Sequence, residues 1–170
     1  GTPILLGGPA AAAANPDLAA LGFSDLTVFS PTLGQASAAK MCRSVMIKGL
    51  EALVMESYTA ARHYGVEDHV LPTLVETFPQ IDWEKQGDYL FSRVIQHGKR
   101  RAEEMRESAN TVREAGLEPF MASAIAQKQD SVAALARAGV FADLPKGFGW
   151  REAADRINQQ QAHAQPHPQD

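Results

Sequence analysis

The sequence has a single cysteine, Cys42, among 170 residues. No intramolecular disulfide can form, and the composition fits a reducing, cytoplasmic compartment. Long apolar runs are missing too. None approaches the ~20 residues a membrane span requires, and no basic stretch leads into an apolar one as in a secretory leader. An excess of basic charge is also lacking. The net charge of -4 gives no electrostatic footprint for nucleic acid. No G-x-G-x-x-G follows a strand, and there is neither a P-loop nor a G-x-S-x-G. The chain alone is therefore not expected to hold a dinucleotide. His63, His69, His163 and His167 show no metal-ligand spacing with one another or with Cys42, so no metal is expected. The chain opens on Gly1 rather than Met, which suggests that an upstream segment is missing.

What is present is globular in composition, with 45% hydrophobic and 21% charged residues, enough to bury a core. Pro3-Ile4-Leu5-Leu6, closed by Gly7-Gly8-Pro9, and Leu26-Thr27-Val28-Phe29, closed by Ser30-Pro31, read as two buried strands. The alanine-rich stretch between them reads as a helix, with Asn15-Pro16 starting a helical turn. Two short strands do not make an independent sheet, which suggests that their sheet continues upstream.

After Pro31 the pattern becomes helical. A long helix capped by Thr32 or Gly34 is expected to run to Tyr64, with Gly65 at its C-cap. Val66–Phe78 reads as a second helix with Pro72 inside it. Ile81–His97 reads as helical in pieces, broken at Gly87, and Gly98–Ala115 as a separate helix. Leu117–Ala138 follows, with Pro119 in its first turn, then a short helix from Trp150 to about Gln159. The Gln-, His- and Pro-rich remainder is expected to be a mobile tail. Strands and helices in alternation belong to α/β domains and a run of helices to an α domain. The expected division is 1–31 as the end of a dinucleotide-binding domain, 32–158 as a helical domain, and 159–170 as the tail.

Three segments could carry chemistry. The first is Gly34 to Ser44, where small residues lead a helix that places Lys40, Ser44 and Lys48 on one face. A lysine beside small side chains can be approached closely, and partial desolvation suits it to proton transfer. A solvated surface lysine is the simpler reading of the spacing alone. The second is His97-Gly98-Lys99-Arg100-Arg101, read as a helix start at which three cations and a histidine would suit a phosphate or carboxylate. An i,i+4 salt-bridged face accounts for it equally well. The third is Gln127-Lys128-Gln129-Asp130, more simply the wet side of an alanine-rich helix. Cys42 reads as a small buried hydrophobe, and Trp83, Trp150, Phe29, Phe91 and Phe120 as packing anchors.

Gly34-Gln35-Ala36-Ser37-Ala38-Ala39-Lys40, followed by Ser44, resembles the G-x-G-x-x-x-K-x-x-x-N segment of the β-hydroxyacid dehydrogenase and 6-phosphogluconate dehydrogenase superfamily. Ala36 replaces the second glycine and Ser44 the asparagine. Gly1 to Gly8 is similar to the strand that follows that family's D-A-P-V-S-G-G segment. Lys128 and Asp130 fall where its K-D-L-G motif is expected, without being adjacent. The stretches Lys40–Leu53 and His97–Met105 resemble the subgroup described as the C-terminal domain of NAD-binding phosphogluconate dehydrogenase, over roughly residues 1–145.

The resemblance implies a mainly α, 6-phosphogluconate-dehydrogenase-C-terminal-like bundle preceded by a βαβ remnant of a Rossmann domain. It implies the C-terminal part of an NAD(P)-dependent dehydrogenase that oxidises a hydroxy acid, a phosphorylated or sugar acid among the candidates. A domain not in this sequence would bind NAD or NADP. Lys40 would be the acid/base. Ser44, His97, Arg100, Arg101, Lys128 and Asp130 would contact substrate, and two copies would form a homodimer. The fragment by itself is expected to be inactive. The alternatives are a non-catalytic helical dimerisation or binding module, and an imine reductase of the same superfamily, against which Lys40 speaks.

Overall fold

The computed structural model describes residues 2–164. Two short strands, β1 (Ile4–Gly7) and β2 (Leu26–Ser30), flank the helix α1 (Ala11–Ala20). They pair in parallel, with Ile4 opposite Leu26 and Leu6 opposite Val28, and the register slips between Leu6 and Gly7. A parallel pair requires a crossover, and α1 supplies it. The helix contains Pro16 in its interior, so the Asn15-Pro16 pair does not begin it.

Five helices follow: α2 (Gln35–Tyr64), α3 (Glu67–Thr77), α4 (Trp83–Glu114), α5 (Phe120–Arg137) and α6 (Trp150–Ala164). The fold is therefore mainly helical after a small βαβ unit, as the sequence led us to expect. Gly34 caps α2 with φ of 86° and Gly65 ends it with φ of 65°. These are left-handed conformations that glycine adopts without steric cost. Asp82 caps α4, its side chain accepting from the Lys85 amide, which fixes the start of that helix.

Three expectations are corrected. Residues 81–115 do not form two helices, because α4 runs unbroken for 32 residues through Gly87 and Gly98. Both glycines are buried where another element presses on the helix. A Cβ on Gly87 would lie 2.7 Å from Trp150 Cδ1, and one on Gly98 would lie 2.9 Å from the Gln129 carbonyl oxygen. They mark close packing rather than helix ends. His97–Arg101 is consequently mid-helix, with no free N–H groups around it. The expected tail is helical as far as Ala164, and the rest of it, including His167, lies outside the described residues. Cys42 is exposed, as are Phe29 at 46% and Phe120 at 76%. In the first half of α2 the stripe facing the bundle runs through Met41, Ser44 and Lys48, leaving Cys42 to solvent.

The main core joins α2, α4 and α6. Tyr58, Phe91 and Trp150 are fully buried together. The Tyr58 and Trp150 ring centroids are 4.7 Å apart, and the Tyr58 hydroxyl donates to the Trp83 carbonyl at 3.0 Å. A smaller cluster of Ala52, Met105, Ala109, Ala122, Ile125 and Ala126 joins α2, α4 and α5. Small side chains there let three helices approach closely, which dispersion rewards. No helix among the described residues is long and apolar enough to cross a membrane.

Candidate functional site

The start of α2 is held against the carboxyl ends of both strands. A Cβ on Gly7, the last residue of β1, would meet the Ala36 Cβ at 2.8 Å. The missing side chain is thus what lets helix and strand touch. At the end of β2, the buried Ser30 hydroxyl donates to Gln35 Oε1 at 2.5 Å and accepts from the Thr32 amide at 3.0 Å. In open α/β sheets the crevice at the carboxyl ends of the strands is where ligands bind.

Lys40 lies one turn beyond Ala36 on the same face of α2. It is exposed, and no carboxylate among the described residues lies within ion-pair distance of it. Its ammonium group is therefore uncommitted. The partial desolvation that would suit it to proton transfer is not provided by the described residues.

One turn further along, the same stripe enters the bundle. Ser44 is buried, and its hydroxyl accepts from Lys48 Nζ at 3.2 Å. Lys48 also pairs with Glu104 at 3.0 Å, and Glu104 takes Arg100 at 2.6 Å. Glu51, 2% exposed, pairs with Arg101 at 2.7 Å and accepts from Gln129 Nε2 at 3.2 Å. Burial pushes the Glu51 carboxyl above the usual carboxylate range, while Arg101, Gln129 and Lys48 pull it back. Burial would raise Glu104 as well, but the Lys48 hydrogen bond and charge hold it below its ordinary value. These groups tie α2, α4 and α5 together directly behind the Lys40 face.

The expected substrate contacts do not converge. Ser44 is engaged with Lys48, and Arg101 is sealed inside the bundle by Glu51. Arg106 and Asp130 pair with each other between α4 and α5. Lys128 turns the other way, pairing with Glu56 at 3.3 Å at the mouth of a cleft between α2, α5 and α6. His97 and Arg100 line a separate cleft between α4 and α5. Ser108 of α4 meets Met41, the neighbour of Lys40, at 3.5 Å. His97 lies 11 residues before Ser108, about 16 Å along the helix at the usual rise. Within one chain, Lys40 and the basic segment are therefore apart.

Glu51 and Glu104 are not singled out by the sequence, and Gln129, read with its neighbours as the wet side of a helix, is fully buried because it turns to Glu51. A usable signal existed for Glu51. Lys48, Glu51, Met55 and Tyr58 recur at three- and four-residue spacing on one stripe of α2, a core-facing pattern in which two of the members are charged. Among the described residues no group of three or more His, Cys, Asp or Glu could hold a metal. Three amides at the two strand-to-helix turns are used internally. Gly8 N donates to the Ser30 carbonyl and Ala11 N to that of Gly8, while Thr32 N donates to Ser30 Oγ.

Comparison with known proteins bears on the helical part first. Residues 61–132 match the family described as Domain of unknown function (DUF1932). An uncharacterized 28.5 kDa protein in the 7S RNA 5' region of Methanothermus fervidus is 33% identical over 99 residues, which is 56% of this chain and 38% of that protein. The crystal structure of a conserved hypothetical protein from Sinorhizobium meliloti 1021 superposes with a TM-score of 0.82 at 38% identity, covering 94% of this chain and 52% of the other. A conserved protein of unknown function, described as structurally similar to 3-hydroxyacid dehydrogenases, superposes with a TM-score of 0.63 at 30% identity, covering 79% of this chain and 50% of the other. The chain spans about half the length of these solved relatives, and less of the sequence relative. DUF1932 is the C-terminal domain of 3-hydroxyacid dehydrogenase-like proteins, so the resemblance holds over the matched residues, which include His97–Met105; Lys40–Leu53 precedes them.

Proposed function

We propose that this chain is the helical substrate-side part of an NAD(P)-dependent dehydrogenase acting on a hydroxy acid, with Lys40 as its proton acid/base. A dehydrogenase-related role rests on the similarity to 3-hydroxyacid dehydrogenases. The specific reaction is our reading, and one observation carries it. The uncommitted lysine stands on the second turn of a helix that begins at the carboxyl ends of two parallel strands, on the face that touches β1.

In this reading Lys40 removes the proton from the substrate hydroxyl as the adjacent carbon is oxidised, and returns it in the reverse direction. A bound nicotinamide would take up the hydride that this oxidation releases. The relatives are about twice as long as the matched region, so the cofactor belongs to the proposal for the whole protein, as does a cytoplasmic location. Ser44 would serve by holding Lys48 rather than by touching substrate.

Homodimerisation is the second element. Met46, Ile47 and Leu53 of α2 are 74%, 42% and 59% exposed, and Val75 and Phe78 at the α3 side are 45% and 53% exposed. Leu53 and Phe78 border an apolar groove of about 410 Å³ between α2 and α3. Contiguous apolar surface of this kind marks interaction sites, and an obligate dimer would bury on the order of 2,000 Å² or more. The same surface supports the second reading, a non-catalytic dimerisation module.

Activity separates the two. The native gene product should be assayed on a panel of hydroxy acids with NAD and NADP, beside Lys40→Ala. A positioned acid/base contributes roughly 10²–10⁴-fold, so kcat should fall by that factor. Unchanged turnover in Lys40→Ala would remove Lys40 from the chemistry. Absence of any activity would favour the module.

A further inference from the structure

The basic segment of α4 faces a cleft of about 590 Å³ against the end of α5. Gly98 forms its floor. A Cβ there would lie 2.9 Å from the Gln129 carbonyl oxygen and 3.3 Å from the Ala133 Cβ, so the two helices approach closely here. Ala133 and Ala136 keep the α5 wall low. Around this floor stand Lys99, Arg100, Arg137 and the half-buried His97, with Glu103 as the one lining carboxylate.

Two of the three cations are not neutralised locally. Among the described residues Lys99 and Arg137 have no carboxylate within ion-pair distance, and Arg100 shares Glu104 with Lys48. Lys99 and Glu103 stand at i,i+4 in the less favourable order and do not meet. Arg137 in the last turn of α5 suits the helix dipole, which explains its presence there. It does not explain why three cations converge on one concavity in a chain of net charge -4. His97 feels the resulting field. Its partial burial, followed by the cations of Arg93, Arg100 and Arg101, holds its pKa below the ordinary histidine value.

We infer that the α4–α5 cleft, formed by His97, Lys99, Arg100 and Arg137, is an anion site that takes the phosphoryl group of a small phosphorylated molecule. A dianion balances the excess of charge, and Arg presents the fork geometry that phosphate oxygens prefer. The cleft exceeds the size of a bare phosphate, leaving room for the organic part of the ligand. It lies about 12–16 Å along α4 from the contact beside Lys40, so the phosphoryl group here is not the group presented to Lys40 of the same chain. The site stands independently of the dehydrogenase reading.

The test is an NMR titration of the whole chain with inorganic phosphate at constant ionic strength, with sodium chloride as the control. Saturable shifts at millimolar phosphate are expected around Gly98 and Ala136, with the His97 pKa rising as the anion arrives. Lys99→Glu with Arg137→Glu should weaken the response at least tenfold, while Lys40→Ala should leave it unchanged. Both altered positions are exposed, and thermal melts will show that the variant folds. If it does not, Lys99→Gln with Arg137→Gln carries the same prediction. Shifts that fail to saturate, match those of chloride, or persist in the charge variants would overturn the site.

Discussion

The first two turns of α2 and its middle are parts of one helix with opposite fates. From Gln35 to Arg43 the helix touches the strand ends and, through the buried Met41, Ser108 of α4, and Lys40 has no partner among the described residues. From Ser44 to Thr59 it lies between α4, α5 and α6, and the lysine two turns on, Lys48, is held by Ser44 and Glu104. The residue type is the same in both places, and what differs is whether a neighbouring helix supplies a carboxylate. A charge drawn into a bundle must be paired there, whereas one left at the rim stays available to a ligand. The middle of α2 is thus a scaffold that fixes its rim, and substitutions in the two parts should separate cleanly into effects on stability and effects on chemistry.

The sharpest test of that division is Glu51→Ala. It strands the Arg101 guanidinium, whose side chain is 7% exposed, and removes the acceptor of Gln129. Breaking a buried pair from one side costs about 3–5 kcal/mol, to be read from the urea midpoint. Replacing both partners, as Glu51→Met with Arg101→Met, should recover most of that loss, because no buried charge is then left alone. If the single and double variants are equally unstable, packing rather than pairing holds this region.

Gly98→Ala comes next. The added methyl meets the Gln129 carbonyl oxygen, a backbone atom that cannot swing aside, so α4 and α5 must part. Overpacking costs about 1–3 kcal/mol, offset by up to about 1 kcal/mol of better helix propensity. A net loss of about 1–2 kcal/mol in urea denaturation is expected. A stabilised variant would mean that the close approach is loose.

A smaller effect should appear as pH dependence. Glu104 is held below its ordinary value when folded, so its contribution is fully present above the unfolded carboxylate value and is lost as pH falls through the folded one. Glu51 runs the other way. Its folded value is raised, so stability declines as pH rises from the ordinary carboxylate value through the raised one. The stability difference between the native chain and Glu104→Gln, about 1 kcal/mol for a partly exposed pair, should therefore shrink as the pH is lowered below about 4.3. A difference that stays constant with pH would show that the Lys48 contact is not electrostatic.

Much of this arrangement was legible before any coordinates. The strand–helix–strand opening, the caps at Gly34 and Gly65, and the helical remainder follow from breakers and periodicity, which act locally. Lys40 is singled out by the resemblance of Gly34 to Ser44, since its spacing alone reads as a solvated surface lysine. The failures share a cause. Gly87 and Gly98 were read as breaks because glycine weakens an isolated helix, but each is tolerated where Trp150 or α5 needs the space. The Glu51–Arg101–Gln129 link spans three helices, and no local pattern announces which charges will meet. His97 and Arg100 stay together at one cleft, while Lys128 and Asp130, read as one motif, part: Lys128 lines another cleft and Asp130 pairs with Arg106.

The smallest structural effect predicted is also the most informative for function. Lys40→Ala removes a side chain that is exposed and, among the described residues, unpaired. A surface substitution of this kind shifts stability by no more than about 0.5 kcal/mol, and alanine slightly favours the helix. The urea midpoint should therefore be almost unchanged, in contrast to Glu51→Ala on the same helix. A loss of turnover in a variant of native stability would place the effect in the chemistry and not in the fold. A marked loss of stability would mean instead that Lys40 is bound into the structure by a neighbour, and its availability to a substrate would have to be abandoned.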